Sequence, residues 1–103
     1  MMRSTSPDIT TVAPGISKVL LENDRVKVIE LRFRPGEKAA MHSHPDFVLY
    51  SFVDSRSKFT YPNGKEEVLD FHAGQVMFIS AITHAVENIG GTEAHDIIVE
   101  LKR

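Results

Sequence analysis

Met41-His42-Ser43-His44-Pro45-Asp46 sets two histidines two residues apart, a few positions after a Pro35-Gly36 turn. Side chains alternate faces along extended backbone, so residues at i and i+2 point to one side on a strand and diverge on a helix. The stretch therefore reads as a strand presenting two imidazoles to one face. Neutral imidazole is a common ligand for divalent transition metals, and His84 follows forty residues later, where a returning chain could close a site. His42, His44 and His84 are the candidate metal ligands. The competing reading is two surface histidines on a loop beside Pro45, and the spacing does not choose between the two.

The flanks extend the strand reading in both directions. Between Arg25 and Arg34, Ile29, Leu31 and Phe33 alternate with Val28, Glu30 and Arg32. Phe47 to Val53 is an apolar run, which predicts a strand covered on both faces. Ser57 to Tyr61 and Glu66 to Phe71 flank Pro62-Asn63-Gly64, and Asn-Gly between two strand patterns predicts a hairpin. Val76 to Ile79 follows the Ala73-Gly74 turn, Thr83 to Asn88 comes next, and Ala94 to Leu101 closes the chain after Gly90-Gly91. No window sustains a 3.6-residue period, so about nine short strands predict an all-β sandwich or barrel. Residues 1–14, rich in Ser and Thr and broken by Pro7 and Pro14, read as a flexible or loosely docked N-terminal arm, one that could instead pair with a neighbouring subunit.

A chain of 103 residues supports one domain and one core. Its net charge of −2, spread along the sequence rather than blocked, offers no electrostatic footprint for nucleic acid or an anionic membrane, and neither is expected as a partner. No apolar run reaches the roughly 18 residues of a spanning helix, and the first fourteen residues lack a signal-peptide pattern, so a cytoplasmic location is expected. With no cysteine, thiolate ligands and disulfides are excluded, which leaves histidine and carboxylate for any metal.

Gly36, five residues and His42-Ser43-His44 form one block; Gly74, nine residues, His84, three more and Asn88 form a second. Together they resemble the two signature blocks of the cupin superfamily, over residues 25–101. Three departures stand out. No Glu occupies the family's position after His44, where the sequence offers Phe47 or Val48; the first block's closing Gly is absent from Asp54-Ser55-Arg56; and Ser80-Ala81-Ile82-Thr83-His84 replaces Pro-x-Gly-x-x-His, one residue short. The resemblance implies a single cupin domain over 15–103, folded as a double-stranded β-helix: a conical jelly-roll barrel. It also implies one divalent transition metal (Fe, Zn, Ni, Mn or Cu) on His42, His44 and His84. Without the Glu the ion keeps its full charge and an open position, a pattern similar to that of the thiol dioxygenases among cupins, in which a ferrous ion takes both substrate and oxygen.

Two further residues are candidates for a fourth ligand or for hydrogen bonding to the ligands. Asp46 continues the 42, 44, 46 alternation, with a turn residue as the competing reading, and His95 shares a face with Ile97, Val99 and Leu101. Phe47 and Val48 are candidate pocket walls. His72, beside a turn, reads as exposed. The expected function is metal-dependent chemistry of dioxygenase or related type on a small anionic metabolite, with a non-catalytic module for a small ligand or metal as the alternative. Open sheet edges and an apolar outer face around Val26, Val28, Tyr50 and Phe52 predict a homodimer.

Overall fold

The structure, a computed structural model, describes residues 7–102. One helical turn, α1 (Ile9–Val12), precedes nine strands: β1 (Ser17–Glu22), β2 (Val26–Phe33), β3 (Lys38–His44), β4 (Phe47–Ser51), β5 (Ser55–Thr60), β6 (Glu66–Phe71), β7 (Val76–Ile79), β8 (Ile82–Asn88) and β9 (Ala94–Leu101). They form two antiparallel sheets, β1-β2-β9-β4-β7 and β3-β8-β5-β6. The inner faces meet over one core, and the sheets stay open at their edges rather than closing into the expected barrel. None of the described helices is long and apolar enough to cross a membrane.

Alternation decides which residues enter the core. On β2, Ile29, Leu31 and Phe33 are buried, as their spacing predicts. The β5–β6 hairpin turns at Pro62-Asn63-Gly64, where Gly64 takes a φ of 85° that a residue with a Cβ would adopt only under strain. The apolar run at β4 corrects the sequence reading: Phe47, Leu49 and Ser51 point inward while Tyr50 is exposed, so the strand is covered on one face of this chain.

The N-terminal stretch read as an arm is docked over its described part; residues 1–6 lie outside the described residues. Asp8 caps α1 by accepting from Thr10 N at 2.8 Å, Ser43 N donates to Pro7 O at 2.9 Å, and Ile9, 1% exposed, completes the core. Burying an isoleucine here contributes roughly 2 kcal/mol toward holding the segment down.

Candidate metal centre

β3 bends where the site begins. It pairs with β8 in register Ala39↔Val86 and then His42↔His84, three residues against two, so a β-bulge falls at Ala40-Met41. The extra residue lets Ala39 and His42 both face inward despite their odd spacing. It also supplies the Ala40 carbonyl oxygen, 2.7 Å from His42 Nδ1. A carbonyl can only accept, so Nδ1 carries the proton and Nε2 keeps its lone pair. Beyond the bulge ordinary alternation brings His44 to the same face, and the β8 register sets His84 directly across from His42. On the outer face Ser43 and Thr83 hydroxyls meet at 2.6 Å and pin that register.

The three predicted histidines therefore converge. His42, His44 and His84 are all buried, and one ring nitrogen from each lies within 4.8 Å of the others, close enough for one ion to be reached from all three. Imidazole centroids stand 4.7 Å (42–44), 4.8 Å (42–84) and 5.5 Å (44–84) apart, and Phe59 closes on His84 at 4.4 Å. Burial pushes His42 down to about 4 and His84 down to about 3, because an imidazolium in this surrounding would lose its hydration. Both rings are neutral at neutral pH, the form that binds a metal.

Hydrogen bonding tests whether the cluster suits an ion. His42 Nε2 and both ring nitrogens of His84 are buried with no partner among the described residues. Buried polar atoms are ordinarily satisfied, and leaving one bare costs about 1–3 kcal/mol. Unpartnered ring nitrogens so close together in an apolar-walled pocket are what a coordinating cation would satisfy. A cavity of about 40 Å³ adjoins the cluster, walled by Phe33, Phe47, Leu49, Phe71 and Ile98, with Asp96 also on its lining. A single water needs about 10–15 Å³ by this measure, so there is room for an ion with two or three small ligand atoms.

The other candidates fall elsewhere. Asp46 stands outside the cluster, accepting from Ala81 N at 2.8 Å, which is the turn role weighed against ligation. His95 points to the outer face of its sheet: its Nε2 lies 2.8 Å from Glu30 Oε2 and its ring stacks on Phe52 at 4.4 Å. Of the two candidate walls, Phe47 lines the cavity, 4.9 Å from the His44 ring, while Val48 turns away. With three or four residues intervening after His44, the family's Glu position falls at Val48 or Leu49, one on from the sequence reading; of these two, Leu49 is the buried one. His72 is 73% exposed, as predicted. Asn88, which closes the second block, is buried away from the cluster and ties Phe33 O and Thr92 O together at 2.9 Å each.

Two acidic residues on β9 were missed. Ala94, Asp96, Ile98 and Glu100 face inward, and the Ile97-Val99-Leu101 stripe faces out. Glu100 Oε2 lies 2.6 Å from His44 Nδ1, joining the two sheets. Asp96 accepts from Ser51 Oγ at 2.9 Å, and burial pushes its carboxyl up. The β2–β9 register, Ile29↔Ile98 and Leu31↔Asp96, is the signal that assigns these faces, because opposed residues in an antiparallel pair share one. The sequence does not disclose that pairing.

Neither a protein-family model nor a curated protein matches this chain. Solved structures do. A cupin domain from Bordetella pertussis Tohama I is 26% identical over 98% of this chain and 100% of its own, with a TM-score of 0.79. A cupin with a double-stranded β-helix fold from Methanocaldococcus jannaschii is 13% identical over 84% of this chain and 79% of its own, with a TM-score of 0.65. Oxalate decarboxylase is similar in fold alone, at 20% identity and a TM-score of 0.61, with 84% of this chain covering 26% of that one. The chain has the double-stranded β-helix fold of the cupins.

Proposed function

We propose that this cupin binds one divalent transition metal through His42, His44 and His84 and uses it on a small anionic metabolite, as a dioxygenase-type or related metalloenzyme. The observation carrying the proposal is the convergence of three buried imidazoles with a ring nitrogen of each within 4.8 Å of the others, His42 Nε2 and both His84 nitrogens having no hydrogen-bond partner among the described residues. An ion held by His42, His44 and His84 would supply Lewis acidity or, if redox-active, oxygen chemistry on a bound substrate.

The chain's own residues shape that chemistry. Ala40 O and Glu100 hold His42 and His44 as the tautomers that turn Nε2 inward. Phe47 and Phe59 exclude water from the rings. Three neutral ligands and one nearby carboxylate leave a divalent ion with net positive charge in apolar surroundings, where an anionic ligand is favoured. The cavity of about 40 Å³ admits a carboxylate head and little else without side-chain movement, and that smallness favours the second reading, a non-catalytic metal or small-ligand module. The proposal includes a homodimer joined through the apolar outer face of the five-stranded sheet.

Metal analysis of protein purified without a metal-affinity tag, followed by oxygen uptake with a panel of small carboxylates and thiol acids, tests both readings. One ion per chain with uptake on at least one compound supports the enzyme. One ion with no turnover by oxygen uptake or product analysis supports the module. No ion at neutral pH overturns both.

A further inference from the structure

We infer that Glu100 supplies, from β9, the negative charge that the missing motif Glu after His44 would have brought to the metal, and delivers it through His44 rather than to the ion. The inference rests on the proposed three-histidine centre and assigns Glu100 as a positioning residue for it.

Register is the first support. Glu100 is the cross-strand partner of Phe47, and both side chains are buried on the inner face, so the carboxylate reaches the back of the His44 ring one strand away from the position that Leu49 or Val48 now occupies. The Glu100 side chain is 4% exposed, and Oε2 sits 2.6 Å from His44 Nδ1. With Nδ1 occupied by the carboxylate, Nε2 is the His44 nitrogen left for the centre.

The second support is what Glu100 lacks. Among the described residues no Lys or Arg pairs with it, and its side-chain partner is the His44 ring. A buried carboxylate is costly unless a cation compensates it. A metal on the far nitrogen of the same imidazole is that cation, polarising the ring so that Nδ1–H becomes a stronger donor to the carboxylate. The three ligands then differ by design: His44 is backed by a charge, His42 by the neutral Ala40 carbonyl, and His84 by neither. The centre keeps the charge balance of a site with a Glu ligand while the fourth position stays free for a substrate.

Glu100→Gln keeps the shape and an oxygen that can accept from Nδ1–H but removes the charge. Zinc affinity measured by competition with a chromophoric chelator should fall about 10–100-fold in Glu100→Gln, the range for losing a partner behind a ligand, with one ion still bound. The visible spectrum of the cobalt-loaded variant should shift as well. Unchanged affinity and spectrum would overturn the role of Glu100 and leave the three-histidine centre standing. A wild type that takes up neither zinc nor cobalt overturns the centre and this inference together. Should Glu100→Gln not fold, the metal-free wild type decides: nitrogen NMR at neutral pH should find the His44 proton on Nδ1 alone. A ring protonated on Nε2, or on both nitrogens, would mark Glu100 as part of a structural pair.

Discussion

The two walls of the cavity hold polar groups in the same buried, largely apolar surroundings, and burial moves them in opposite directions on the pH scale. On the β3–β8 wall it pushes His42 down to about 4 and His84 to about 3; on the β9–β4 wall it pushes Asp96 up. One cause serves both, since the charged form loses hydration whatever its sign. The consequences diverge. A histidine driven neutral keeps the lone pair a metal needs, whereas a carboxyl driven neutral gives its own up. The histidine wall is therefore a ligand set, and the Asp96 end of the opposite wall is not.

The largest effect expected from breaking that contrast is on metal affinity. Four-ligand protein sites are worth about 10–16 kcal/mol, so one ligand carries roughly 3 kcal/mol, a factor of at least about a hundred. His42→Ala, His44→Ala or His84→Ala should each lose the ion on dialysis against a weak chelator, while His72→Ala, altering an exposed ring, should retain it. Retention in His84→Ala would remove the β8 side of the centre.

The walls also differ in how much the sequence discloses. His42 and His44 share a face because of local alternation, and His84 sits in a second block that the first anticipates. What the sequence hides is the bulge at Ala40-Met41, which hands His42 its carbonyl partner, and the β9 register, which turns Asp96 and Glu100 inward and His95 out. On β9 either alternate set carries apolar residues, so periodicity alone gives no choice of face. The choice comes from pairing with β2, about 65 residues earlier in sequence, a contact that only the folded chain makes. The absent Glu on β4 was legible; its neighbour-strand counterpart was not.

Acidification should act next most strongly. His42 and His84 have folded values below the unfolded value of 6.5, so the unfolded chain binds more protons between about 3 and 6.5. Stability is thus full above 6.5 and falls as pH drops below it, by on the order of 2 kcal/mol per histidine at pH 5. This holds without metal. With an ion at a hundredfold above its Kd, a further stabilisation of about 2.7 kcal/mol should appear at pH 8 and fade toward pH 5 as protons compete for the rings. Thermal melts across that range, with and without chelator, check both parts. A chelator-induced drop equal at pH 5 and pH 8 would contradict the histidine centre, and a metal-free protein whose stability is flat from pH 8 to pH 5 would contradict the burial argument.

The carboxylate wall has a second side. Tyr50, Phe52, Val76 and Phe78 lie on the outer face of its sheet, with Phe78 60% exposed in the single chain. An apolar patch of this kind is ordinarily covered. Phe78→Glu should convert the proposed homodimer to an 11.5 kDa species in light scattering, at a cost of roughly 1–2 kcal/mol to association for each copy, and leave metal content unchanged. Wild-type protein already at 11.5 kDa at micromolar concentration would refute the dimer.

The smallest effect is reserved for Asp96, and its sign is the opposite of the histidines'. Its folded value is raised above 3.8 by burial, so the folded chain holds the proton more tightly than the unfolded one. The stability this contributes is full below 3.8 and is lost as pH climbs through the raised value. Asp96→Asn keeps an oxygen for Ser51 Oγ and removes the titration, so it should change stability by within about 1 kcal/mol at pH 4. Relative to wild type, the variant should gain as pH rises to 8, where the native carboxyl must either ionise in a dry cavity or hold its proton against the solvent. Urea melts of both proteins with chelator present isolate that difference, since His42 and His84 contribute equally to each. A variant-minus-wild-type difference that is constant from pH 4 to pH 8 would show that Asp96 titrates as it does in the unfolded chain, and the two walls would then no longer be mirror images of one desolvation effect.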